Sequence, residues 1–273
     1  SKFLKLHRKS KGEEFTHTSI KGGIFYIPDH ENEEFLDLYA VSLNKGNINY
    51  LTEKKTDVYG SVVIDLDFRK KYNEGDIINR LYTIEQIIEI CDEIVRFMDN
   101  FLQECDKTYY ILERKTPRVE KGLLKDGIHI QFPHVAVSYT FQHFMRNELL
   151  KKVEEILSPC KFDNPIEDIY DSAVIEKNNW LLYGSSKPTL MPYEIVYPDN
   201  ITLSMKDKVK LLSIRNKTKE VSIKDNKIDD VIAYTNISIT NKSAKGGNKQ
   251  NIAKLTNADI TDQEVDAIKE FIN

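Results

Sequence analysis

Apolar residues recur along this chain with two periods, and the elements they predict alternate. Ile84, Ile87, Ile88, Cys91, Ile94, Val95, Met98, Phe101 and Leu102 keep i, i+3, i+4 spacing. One buried stripe of this kind predicts a helix over 83–104. Thr83, with Gln86 three residues later, supplies a capping box. A second stripe of Phe144, Met145, Leu149, Val153 and Ile156 predicts a helix over about 141–157. Short or alternating apolar runs predict strands at 22–27, 35–42, 47–51, 61–67, 108–113, 127–132 and 180–183. Pro133 is expected to stop the sixth of these. A basic loop punctuated by Gly and Pro is expected over 114–126. Strands interleaved with helices predict a layered α/β or α+β domain.

Two strands carry polar residues that their alternation places on one face. Val62-Val63-Ile64-Asp65-Leu66-Asp67 ends in two acids one residue apart, so Asp65 and Asp67 share a face and Leu66 points away. Two carboxylates so close repel unless something positive lies between them. A hard divalent cation is the natural partner, held by such carboxylates together with substrate phosphates. On these residues alone, solvated acids at a strand end account for the pattern equally well. A D-x-D pair fits nucleases, glycosyltransferases and polymerases alike. In the second strand, Ile128, Ile130 and Phe132 occupy one face and Gly127, His129 and Gln131 the other. That composition suits a sheet face lining a cleft, where His129 could bind a phosphate oxygen or move a proton; a satisfied core histidine is the plainer explanation. Lys125 adds a charge at the entrance of this strand.

A third region joins Tyr170-Asp171 to Gly184-Ser185-Ser186-Lys187. Asp171 follows apolar residues, as a third metal carboxylate would. The Gly turn, two hydroxyls and a lysine resemble an anion cradle, although the P-loop pattern is absent and an ordinary polar turn would read the same.

Composition narrows the classes. Hydrophobic residues make up 40% and charged residues 30% of the 273. No run approaches the ~18 apolar residues of a membrane helix, so no membrane partner is expected. The start lacks a signal-peptide layout and an initiator Met, as in a processed or excised piece. Cys91, Cys105 and Cys160 include no C-x-x-C pair, so neither a disulfide framework nor structural zinc is expected, and the compartment is read as intracellular and reducing. The net charge of −4 divides unevenly. Residues 201–273 carry 13 Lys and Arg against 10 Asp and Glu, while the remainder is acidic. An acidic body excludes broad coating of nucleic acid but permits a local basic groove. Residues 240–251 read as a flexible basic linker, and 261–272 as a short helix with a Thr261/Glu264 capping box.

In order, Ile64-Asp65-Leu66-Asp67, Gly127-Ile128-His129 and Tyr170-Asp171 resemble the three signatures of the archaeo-eukaryotic primase superfamily. With Lys125-Asp126-Gly127-Ile128-His129 and Leu182-Tyr183-Gly184-Ser185-Ser186-Lys187, the likeness is greatest to the primase half of the primase-helicases of nucleo-cytoplasmic large DNA viruses. It covers roughly residues 15–215. The resemblance implies an α+β fold, an RRM-like mixed catalytic sheet joined to an N-terminal α/β unit with the site between them. The catalytic domain would occupy 1–215, and 216–273 would be an extension and linker toward a helicase module. It further implies nucleotidyl transfer from nucleoside triphosphates on a single-stranded DNA template, at viral replication sites in host cytoplasm or nucleus. Asp65, Asp67 and Asp171 would hold two Mg²⁺ or Mn²⁺ ions. His129, Lys125, Gly127, Ser186 and Lys187 would bind the nucleotide. Two departures stand out. Gly127 lacks the hydroxyl of the Ser that many relatives carry. No arginine occurs between Asn178 and Leu181, where cellular relatives place them, so Arg69, Arg114 and Arg118 are candidates without motif support. Alternatives are a metal-dependent nuclease acting on DNA, a nucleotide-sugar glycosyltransferase and a non-catalytic binding module.

Overall fold

A computed structural model of the chain describes residues 2–56, 58–215 and 219–235. The expected linker at 240–251 and helix at 261–272 lie outside them. Two antiparallel sheets face one another across a cleft. The N-terminal part contains α1 (Lys2–Leu6), β1 (Arg8–Lys9), β2 (His17–Ser19), β3 (Ile24–Phe25), α2 (Asp29–Asn44) and β4 (Leu51–Glu53). The larger part contains β5 (Tyr59–Lys71), α3 (Ile84–Phe101), β6 (Tyr110–Glu113), β7 (Arg118–Glu120), β8 (Leu123–Ser138), α4 (Tyr139–Leu157), α5 (Ile166–Ile169) and α6 (Ala173–Glu176). The chain then returns to the first part with β9 (Trp180–Leu181), adds β10 (Glu194–Tyr197) to the second, and continues through α7 (Met205–Leu212). The first sheet runs β1-β3-β2-β4-β9 and the second β10-β6-β8-β5, with β7 alongside β8. Each pairing between these strands is antiparallel. The architecture is thus α+β, as expected.

The second sheet has the two-faced composition that its alternation predicts. Ile64, Leu66 and Phe68 of β5 and Ile128, Ile130 and Phe132 of β8 are buried against α3 and α4 in one core. Apolar burial on this face drives the sheet and helices together. The capping box at Thr83 and Gln86 is formed. The opposite face carries Asp65, Asp67, Gly127 and His129 and looks toward the first sheet.

Four expectations are corrected. Residues 35–42 form part of α2, not a strand, because Phe35, Leu36, Tyr39 and Ala40 fall on one helical face and are buried together. Acidic Asp29 and Glu31 in the first turn favour that helix start. Pro133 does not end β8. It falls where the β5–β8 register jumps between Ser61/Ala136 and Val62/Phe132, so its missing N–H costs no ladder bond. The loop over 114–126 contains β7 and the start of β8. The packed body also continues past residue 215, since Ile223 and Val231 are buried against the helical core. All three cysteines are free, and no helix among the described residues is long and apolar enough to cross a membrane.

Candidate active site between the two sheets

The sheet register sets the site. β5 and β8 pair so that Asp65 lies opposite His129 and Asp67 opposite Gly127. The Asp65 carboxylate is 3.9 Å from His129 Nε2. Residue 170 bridges Leu66, and the Asp171 N–H donates to the Asp65 carbonyl at 3.1 Å, so the third acid is stitched beside the first by backbone. Asp65, Asp67, His129 and Lys187 line one cleft of about 500 Å³, with Arg114 and Trp180 among its other walls.

The electrostatics follow from this crowding. Burial, then repulsion from Asp67, pushes the Asp65 carboxyl up to about 7, with Lys187 and Arg114 pulling the other way. Asp67 is held by Arg69, whose Nε and Nη2 both donate to Oδ2 at 3.1 and 2.8 Å. Burial, then the positive Arg114 and Lys187, drives His129 well below its ordinary value, so its imidazole is neutral. The ring stacks on Tyr193 at 3.7 Å and packs at a 35° tilt against Trp180 at 4.3 Å, centroid to centroid.

The donors suit a divalent cation in part. Asp65 and Asp67 place two carboxylates on one face, and both line the cleft. Asp171 is less prepared: its Oδ1 accepts the Ala173 N–H at 2.8 Å. Among the described residues no three His, Cys, Asp or Glu side chains converge as a ready ligand cluster. The set therefore fits an ion whose shell is completed by substrate oxygens, as Mg²⁺ commonly requires.

The turn at Gly184–Lys187 does not form the expected backbone cradle. Ser185 N–H donates to the Leu182 carbonyl and Ser186 N–H to the Asn49 carbonyl, both at 2.9 Å. The Ser185 hydroxyl is spent on Tyr39 and on the Leu51 N–H. Ser186 is 1% exposed and absent from the cleft wall, its hydroxyl without a partner among the described residues. Gly184 is needed for the fold: its φ is +79° and an added Cβ would lie 2.6 Å from Leu43 Cδ1. Of this turn only Lys187 reaches the cleft. Lys125 shares the face of His129 but is drawn away to Glu120 at 2.9 Å. Sequence motifs single out neither Tyr193 nor Trp180. Both come from segments distant in sequence, and no local spacing marks them.

Two antiparallel sheets with these acids and this histidine facing one cleft define a class, the α+β domains of archaeo-eukaryotic primase (AEP) type. Residues 16–197 match the family model described as the C962R protein N-terminal AEP domain, and the chain belongs to that family. It is 31% identical over 176 residues to L207/L206 of Acanthamoeba polyphaga mimivirus, which carries a provisional helicase name; the match covers 63% of this chain and 18% of that protein. It is 27% identical over 214 residues to 184R of Invertebrate iridescent virus 6, also provisionally named a helicase, covering 68% and 22%. The chain thus spans about a fifth of the length of these curated relatives. It is a primase-type domain related to proteins of large DNA viruses.

Proposed function

We propose that this domain catalyses template-directed nucleotidyl transfer from nucleoside triphosphates on single-stranded DNA during viral DNA replication. The observation that carries the reading is the meeting of Asp65 and Asp67 with Lys187 and His129 in one cleft. Asp65 and Asp67 would hold a divalent cation, Mg²⁺ or Mn²⁺, with Asp171 beside them. When bound, that cation supplies charge neutralisation at the triphosphate and lowers the pKa of an attacking hydroxyl. Lys187 offers a point charge to phosphate oxygens. Neutral His129 offers one N–H donor and, packed against the Tyr193 and Trp180 rings, has little freedom to turn away. Arg69 orients Asp67 through its two hydrogen bonds.

A metal-dependent nuclease would share the acids and the histidine. With the backbone amides of Ser185 and Ser186 spent, the preference for transfer rests on Lys187 and on family membership. The helicase names of the relatives support a helicase module in the full-length protein, acting at viral replication sites in the infected cell.

The test is nucleotide incorporation with single-stranded DNA, labelled nucleotides and Mg²⁺ or Mn²⁺. Asp67→Ala is expected to lower incorporation by ~10³-fold or more, since a metal ligand positions both nucleophile and leaving group. Its melting temperature should stay close to wild type. Near-wild-type incorporation by that variant contradicts the assignment.

A further inference from the structure

Arginines around the cleft are nearly all committed to acids. Arg69 is bound to Asp67, Arg80 to Asp126 and Glu113, and Arg118 to Glu120. Arg114 is the exception on the cleft wall. It is 8% exposed, yet among the described residues it forms no ion pair. Its side chain is nonetheless fixed. Nε donates to the Met191 carbonyl at 3.1 Å and Nη1 to the Tyr193 hydroxyl at 2.6 Å. The guanidinium also lies 3.8 Å from the Tyr193 ring centroid. Its main-chain carbonyl accepts from Arg80. Nη2 has no protein partner among the described residues.

A buried guanidinium that no acid contacts directly, with the charge of Asp65 reaching it only through space, is costly. One that is held rigidly, with a donor left over, on the wall of a cleft is organised for an anion that arrives from outside. A guanidinium suits phosphate because its donors form a planar fork. The second half of the arrangement is Tyr193. Its ring stacks on His129, and its hydroxyl stands over Gly127, where an added Cβ would come within 3.0 Å of it. Gly127 therefore leaves the space that the phenol occupies. Arg114, Tyr193 and His129 form one contiguous layered unit, built from the residue after β6, the segment before β10, and β8.

We propose that Arg114 and Tyr193 form a preassembled phosphate clamp over Gly127 that binds the triphosphate of the incoming nucleotide. Arg114 makes the contact, and Tyr193 is the positioning residue that holds both Arg114 and the His129 ring. This rests on the reading of the cleft as a nucleotide site.

The test is calorimetric titration of the 273-residue chain with inorganic tripolyphosphate and with dATP, in Mg²⁺ and without template. Arg114→Gln is expected to weaken both ligands by roughly 10- to 100-fold, the scale of one charge-assisted contact. Arg114→Lys, which keeps the charge but not the fork, should recover only part of that. Tyr193→Phe retains the stack on His129 and removes the hydroxyl, so it should weaken both ligands by a smaller factor. Gly127→Ala crowds that hydroxyl and should act in the same direction. In the Tyr193→Phe background its effect should largely vanish, a coupling that a merely structural glycine would not show. Wild-type affinity for tripolyphosphate in both Arg114 variants, or additive effects of Gly127→Ala and Tyr193→Phe, overturns the clamp. If the wild-type chain binds neither ligand, the nucleotide reading itself falls, and the clamp with it. If wild type binds both and Arg114→Gln binds equally well, the clamp alone is wrong.

Discussion

Asp65 is the residue on which the electrostatics of the cleft turn. Its carboxyl is raised from 3.8 to about 7 by burial and by Asp67. A raised value in the fold means that the protonated form is the favoured one. Its stabilising contribution is complete below about pH 4 and is lost as pH rises through about 7. Above that, the charged side chain is a cost unless a cation sits beside it. Asp65→Asn should therefore raise the metal-free melting temperature at about pH 8, by a few degrees or roughly 1–3 kcal/mol. The side chain keeps 26% of its surface exposed, so water returns part of the burial penalty and the gain stays below the full shift. Toward pH 4 the two proteins should converge. Mg²⁺ should stabilise wild type at about pH 8 more than the variant. Thermal melts at the two pH values measure this, and identical curves at the higher pH contradict it. That Asp65 and Asp67 share one face, and His129 another with Gly127 and Gln131, was legible in the sequence because a strand has a period of two; the register that sets His129 opposite Asp65 was not. The diversion of Lys125 was not, since it depends on β7 bringing Glu120 alongside. Nor was the stacking of Tyr193 on His129, which joins residues far apart in the chain.

At the scale of elements, α3 and the middle of β8 could be read from periodicity because each has one apolar face and one polar face, whereas the two ends of β8 could not. α2 was misread because Phe35, Leu36, Tyr39 and Ala40 include residues at home in strands, while their i, i+1, i+4, i+5 spacing is helical. The small strands of the first sheet are two or three residues long, too short for any period to show. The turn after β9 links both parts of the protein to the site. The Asn49–Ser185 bridge and the contact of Gly184 with Leu43 press it against the N-terminal part, and Lys187 then emerges at the cleft. Gly184→Ala should cost about 1–3 kcal/mol in denaturant unfolding, from its left-handed backbone and the clash with Leu43. Because Lys187 would shift with the turn, KM for nucleotide should rise as well. Pairing with Leu43→Ala should recover the clash but not the backbone strain. A Gly184→Ala protein as stable as wild type contradicts this role.

On the whole-molecule scale, the two sheets are tied across the cleft by buried polar contacts. Glu53 of β4 accepts from the Ser213 hydroxyl at 2.5 Å and from the Ile214 N–H at 2.9 Å, although it is fully buried. Gln131 of β8 donates to the Leu212 carbonyl and receives the Trp180 indole N–H. Both sheets are thus bonded to one another's elements through β9, the end of α7 and the residues after it, the kind of support a shared site requires. Joining nucleotides to DNA and cutting it leave opposite traces on a labelled strand. A single measurement separates the two: a primer–template whose primer is 5′-labelled, incubated with the chain, deoxynucleoside triphosphates and Mg²⁺ or Mn²⁺, and resolved by length. If the cleft joins, the labelled primer lengthens by nucleotides complementary to the template, and it does so with neither Asp65→Ala nor Asp67→Ala. A labelled strand that shortens in a metal-dependent manner, with no extension in either metal, would contradict the proposed joining.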